Sequence, residues 1–82
     1  MTIWVDGDSA PRDIRPILVR RSASIPVLFV SVRKLPDVPA SLTVLVPAGA
    51  DSADRYIEER AAVGDLVVTR DIPFAERLAN LG

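Results

Sequence analysis

The chain has 82 residues, eleven acidic and ten basic, and contains neither cysteine nor histidine. That length bounds it to one domain, residues 1–82, with one core. The missing cysteines exclude a disulfide framework and a thiolate nucleophile. Without histidine as well, His/Cys zinc sites, Cys–His dyads and Ser–His–Asp triads are excluded. Any chemistry falls to carboxylates working with a hard cation.

An apolar share of 49% with only 5% aromatic residues suits a buried sheet covered by helices. The net charge of −1 gives no global signal for nucleic acid. Lys34 is the only lysine, so nine of the ten basic residues are arginine, the better donor to phosphate. A GC-rich genome would produce the same bias. The start of the chain runs into Asp6 without a positive flank or a long apolar region. The longest strongly apolar stretch, residues 25–32, is too short to cross a bilayer. A cytoplasmic protein without membrane contact is expected.

A short β-rich run, 3–5, ends at Asp6-Gly7-Asp8. Over 9–22 the apolar residues Ile14, Ile17, Leu18 and Val19 recur at helical spacing. Asp8 or Ser9 is placed to cap that helix, Pro11 fits its first turn, and Pro16 predicts a kink. Residues 27–30 form a continuous apolar run, the mark of a strand buried on both faces. Residues 31–41 read as a loop, with Arg33-Lys34 at its start, Pro36 and Pro39 inside it and Pro26 just upstream. A third strand spans 43–46 and a turn 47–50. Asp51 or Ser52 caps a second helix with Ala53, Ile57 and Ala61 inward, and Gly64 stops it. A fourth strand spans 66–68. Asp71 caps a last helix opened by Pro73, with Phe74, Leu78 and Leu81 inward.

Alternating strands and helices predict an α/β fold with a parallel sheet and right-handed crossovers. The link between strands two and three has no helix, so the Pro-rich loop makes that crossing. Strand four is left with an open edge, which predicts a homo-oligomer paired across it.

Ligands of open parallel sheets bind beyond the carboxyl ends of the strands. Asp6 and Asp8 follow strand one, Thr69 and Asp71 follow strand four, and Asp51 and Asp54 open the second helix. These six oxygen-bearing side chains converge on one rim. Clustered carboxylates repel unless a cation or a shared proton relieves them, and Mg²⁺ or Mn²⁺ is the natural guest. Such a site activates water and steadies the leaving oxygen of a phosphodiester.

Plainer roles compete at each position. Asp8, Asp51 and Asp71 stand where N-caps belong. Thr69 fits a β-branched strand end, and Asp65 a turn residue on the opposite rim. Arg55, Glu58, Glu59 and Arg60 fit a solvated helix face. Trp4 is expected on the opposite face of the strand from Asp6, as a packing residue. Asp6 is the hardest to assign to structure alone, because a carboxylate ending a buried strand is costly without a partner. The Gly-rich and Walker-type phosphate fingerprints are absent.

Three segments resemble a known family. Residues 4–11, Trp-Val-Asp-Gly-Asp-Ser-Ala-Pro, are similar to the opening Trp-Val-Asp-Ala-Asp-Ala-Cys-Pro of the bacterial YaiI/YqxD family. Ala48-Gly49-Ala50-Asp51-Ser52-Ala53-Asp54 with Ile57 resembles its Ala-Gly-x-Asp-x-Ala-Asp-x-x-Ile. Residues 64–73, Gly-Asp-Leu-Val-Val-Thr-Arg-Asp-Ile-Pro, resemble its Gly-Asp-Leu-Val-Ile-Thr-x-Asp-Ile-Pro. The family is largely uncharacterised and grouped with PIN-like nuclease domains. The resemblance implies a PIN-like three-layer α/β/α fold with strand order 3-2-1-4 and a metal-dependent ribonuclease-type site. Asp6, Asp54 and Asp71 match its carboxylate positions and Thr69 the neighbouring hydroxyl, with Asp8 and Asp51 at further family positions.

The departures are Ala10 where the family has Cys, Pro16 in place of a helix-friendly residue, and a shorter 31–41 loop. Family members continue past the position of Gly82 with a further strand and a basic C-terminal part, so the final strand is expected to be missing.

The function these features predict is a metal-dependent nuclease or phosphodiesterase acting on RNA. A non-catalytic PIN-like binding or interaction subunit is the alternative, and metal binding separates the two. A haloacid-dehalogenase-type phosphohydrolase ranks third. Asp6-x-Asp8 and Thr69 match that class, but it needs a lysine after the threonine, and Lys34 lies before it.

Overall fold

The computed structural model describes residues 1–49 and 52–70. Four strands, β1 (Ile3–Asp6), β2 (Val27–Ser31), β3 (Thr43–Leu45) and β4 (Leu66–Val68), pair in the order β3-β2-β1-β4, all parallel. The α/β class and the strand order are those expected from the sequence. β1 is an inner strand, with Val5 opposite Phe29 on one side and Val68 on the other. The last helix expected from Asp71 onward lies outside the described residues.

Alternation along β1 and β2 sends side chains to two cores. Ile3, Val5, Val27 and Phe29 face α1 (Arg15–Arg21) and the loop after β2, which contributes Leu35 and Val38. Trp4 and Val30 face α2 (Ser52–Arg60), which contributes Ala53 and Ile57. The sheet is therefore covered on both faces, which explains the continuous apolar run of β2. Full burial of Val5, Phe29, Val30 and Ile57 is worth about 1.5–3 kcal/mol each. The loop after β2, with Leu35 and Val38 buried, and a 3₁₀ turn at Ala40–Leu42 carry the chain across to β3 without a helix.

Several local expectations are corrected. The single helix over 9–22 is split into a 3₁₀ turn, Arg12–Ile14, and α1. Pro16 falls in the first turn of α1, where its missing N–H leaves no broken bond. The N-caps of the two pieces are Pro11 and Ile14, so neither Asp8 nor Ser9 caps a helix. With the helix starting at Arg15, Ile14, Leu18 and Val19 pack inward while Ile17 is 54% exposed.

α2 ends at Arg60, four residues before Gly64, which instead occupies a turn with φ 94°. There the Asp65 amide donates to the Ala62 carbonyl, and only glycine takes that φ without strain. Ser52 lies within α2 rather than capping it.

Trp4 and Asp6 share a face of β1. Residues two apart on a strand point the same way, so the expected separation of the two was wrong in period. Trp4 packs beneath α2, as a core residue should.

Among the described residues, no helix is long and apolar enough to cross a membrane.

Candidate functional site

β1 delivers Asp6 to the carboxyl rim of the sheet, where it is 3% exposed. Burying an ionised carboxylate requires donors, and three reach it. The Asp8 amide donates to Oδ1 at 3.2 Å. The Ser9 and Thr69 hydroxyls approach Oδ2 at 2.9 and 3.2 Å. The chain after Asp6 turns back on itself, with the Ala10 amide donating to the Asp6 carbonyl at 2.8 Å. That turn brings Ser9 under the carboxylate it serves.

Asp8 is exposed, and its Oδ2 accepts the Val32 amide at 2.9 Å. Its other oxygen lies 3.8 Å from Arg33, a pair too solvated to contribute much. Asp8 thereby ties the loop after β1 to the end of β2. Asp54, in the first turn of α2, is 5% exposed. Asp6, Asp8 and Asp54 line one open cavity of about 250 Å³ together with Ser9, Val32, Gly49, Ser52 and Ala53. Thr69 reaches this group through its contacts with Asp6 and Ser9. Asp51 and Asp71 lie outside the described residues.

Three supporting residues carried no spacing signal. Ser9 is the first, read only as a possible cap. The second is Arg15, 8% exposed beside the inward stripe of α1. Its Nη1 donates to Asp37 Oδ1 at 2.9 Å and its Nη2 to the Gly7 carbonyl at 3.3 Å. It therefore fastens the loop between Asp6 and Asp8 to the loop after β2. Partial burial pushes the Asp37 carboxyl up, but the Arg15 guanidinium and its own backbone amide outweigh that and leave it below the usual range.

The third is Asp65, which does sit in a turn at the opposite rim but acts as an anchor. Its carboxylate accepts the amides of Ala62 and Thr2, both at 2.9 Å, and the Trp4 indole N–H at 3.0 Å. The Ala62 amide, the indole and the Thr2 amide hold it ionised down to about 2.

The described donors are all oxygens, the right class for Mg²⁺ or Mn²⁺. Among the described residues, no group of three or more acidic side chains is arranged to hold a metal ion. Asp6 and Asp54 on one cavity fit a cation that keeps most of its waters and uses one or two carboxylates, not a closed cage. The dehalogenase pattern fits poorly. Lys34 lines a different, apolar cavity with Leu35, Pro36 and Val38, and Asp8 is tied to the Val32 amide.

Comparison with known proteins agrees with the motif resemblance. A family model described as "Uncharacterized BCR, YaiI/YqxD family" matches residues 4–82. The chain is 44% identical over 86 residues to a UPF0178 protein of Trichlorobacter lovleyi, covering 100% of this chain and 56% of that protein. A UPF0178 protein of Xanthomonas oryzae pv. oryzae is 44% identical over 84 residues, covering 98% and 52%. One from Treponema denticola is 41% identical over 85 residues, covering 100% and 54%. The chain thus spans about half the length of the curated relatives it matches. No solved structure matches it. With the match running from Trp4 to Gly82 and taking in all three motifs, the chain belongs to the YaiI/YqxD family.

Proposed function

We propose that the chain carries the carboxylate site of a cytoplasmic, PIN-like, metal-dependent phosphodiesterase acting on RNA. One observation carries this reading: Asp6 and Asp54, two ionisable groups almost fully removed from solvent, open onto the same cavity at the carboxyl rim of a parallel sheet. A purely structural carboxylate has no need of a second one across a cavity, since like charges raise its cost.

Asp6 and Asp54 would hold Mg²⁺ or Mn²⁺ with Asp8 nearby, and Asp51 and Asp71 would join them by motif position. The bound cation supplies a more acidic water and charge stabilisation at the phosphodiester. Ser9 and Thr69 hold Asp6 in one orientation.

The test is Mn²⁺ binding by calorimetry alongside cleavage of a single-stranded RNA. The wild-type chain should bind at micromolar to millimolar metal and cleave, and Asp6→Asn should lose both. Equal binding by wild type and Asp6→Asn would end this reading. The second reading, a non-catalytic binding relative, requires neither metal nor cleavage. A homo-oligomer through the β4 edge belongs to the same proposal and is supported by the exposed Leu66 on that edge strand. Light scattering at high micromolar concentration tests it, and a monomer mass would remove it.

A further inference from the structure

We propose that Ser9 is a positioning residue, clamping the Asp6 carboxylate to the exit of β4 so that Asp6 meets a divalent cation through one defined oxygen. The hydroxyl of Ser9 lies 2.9 Å from Asp6 Oδ2, 3.1 Å from Thr69 Oγ1 and 3.2 Å from the Arg70 amide that donates to it. Two of these contacts join the loop after β1 to the end of β4, about sixty residues away in sequence, and the third holds the Asp6 carboxylate. Helix capping does not explain this placement, because the caps of both the 3₁₀ turn and α1 fall elsewhere.

Proton accounting sharpens the role. A hydroxyl has one proton to give and two lone pairs to receive. The Arg70 amide occupies one lone pair of Ser9. If Ser9 and Thr69 both donate to Asp6 Oδ2, their protons are spent there and their mutual 3.1 Å contact is oxygen to oxygen. Oδ2 then carries two charge-assisted bonds. Among the described residues, Oδ1 accepts only the Asp8 amide, so Oδ1 keeps accepting capacity. The metal step rests on the function proposed above, whereas the clamp itself does not.

The experiment uses the full chain with Ser9→Ala, Ser9→Thr and Asp6→Asn, each checked by thermal melting in chelator. Two readouts are taken: amide hydrogen exchange at Arg70 and Mn²⁺ affinity by electron paramagnetic resonance. Ser9→Ala should raise Arg70 exchange severalfold while Val5 and Val68 keep their protection. It should weaken Mn²⁺ binding by about tenfold, the usual effect of losing a group that orients a metal ligand. Ser9→Thr should restore both. Wild-type exchange and affinity in Ser9→Ala, or loss of both in Ser9→Thr, would overturn the proposal. A wild-type chain that binds no Mn²⁺ defeats the metal reading, and Arg70 exchange then decides the clamp alone. Should Ser9→Ala fail to fold, Ser9→Thr still decides, since it must behave as wild type.

Discussion

The Trp4 indole and the Asp65 carboxylate are joined by a 3.0 Å hydrogen bond across the strands β1 and β4. Asp65 also takes the Thr2 amide, while the Leu66 amide donates to the Thr2 carbonyl at 3.1 Å. One side chain therefore sets the start of β1 against the start of β4.

Asp65→Asn should be destabilised, because an amide offers a single oxygen where the carboxylate offers two to three donors. A drop in melting temperature of roughly 5 °C or more is expected. The pH dependence has a fixed sign. The folded carboxyl is depressed to about 2 from 3.8, so its stabilisation is present above about 3.8 and is lost as pH falls through about 2. Acid titration of wild type and Asp65→Asn, followed by Trp4 fluorescence, should show the gap between the two closing over that window. A constant gap would contradict it.

Arg15→Met should lower the melting temperature by roughly 5–10 °C, since it strips a donor from both Asp37 and the Gly7 carbonyl while keeping the side-chain stem. Arg15→Lys should fall between Met and wild type, because an ammonium cannot reproduce the two-armed geometry. Thermal melts in chelator measure both. A lysine variant indistinguishable from wild type would show that charge alone suffices.

Asp8 separates its two roles by substitution. Asparagine keeps an oxygen for the Val32 amide and gives up only a weak pair with Arg33, so Asp8→Asn should stay within about 0.5 kcal/mol of wild type. Asp8→Ala should cost about 1 kcal/mol through the lost hydrogen bond to the Val32 amide. If Asp8 also serves a cation, Asn should weaken Mn²⁺ binding without this loss of stability. Denaturant titration and calorimetry on the same samples give both numbers.

Ile57→Ala should cost about 2–5 kcal/mol, since Ile57 is fully buried between α2 and the sheet. Ile17→Ala should change stability by no more than about 0.5 kcal/mol, since Ile17 faces solvent. Urea midpoints compare the two directly. A large loss at Ile17 would indicate that its face is covered in solution.

Apolar periodicity and strand-end chemistry were enough to place the four strands and the rim carrying Asp6, Asp8 and Thr69, while the strand order came with the motif resemblance. Such patterns are local, and the parallel βαβ rule turns them into topology. The motifs alone carried the family. Element boundaries depended on more. Pro16 reads as a kink until the helix is seen to begin one residue before it, and Gly64 reads as a helix stop until the Ala62–Asp65 turn takes it up. The contacts of Ser9, Arg15 and Asp65 were decided only by tertiary structure. Each joins segments distant in sequence, such as Ser9 to Thr69 or Asp65 to Trp4, and a side chain's partners across a sheet exist only once strand register is set.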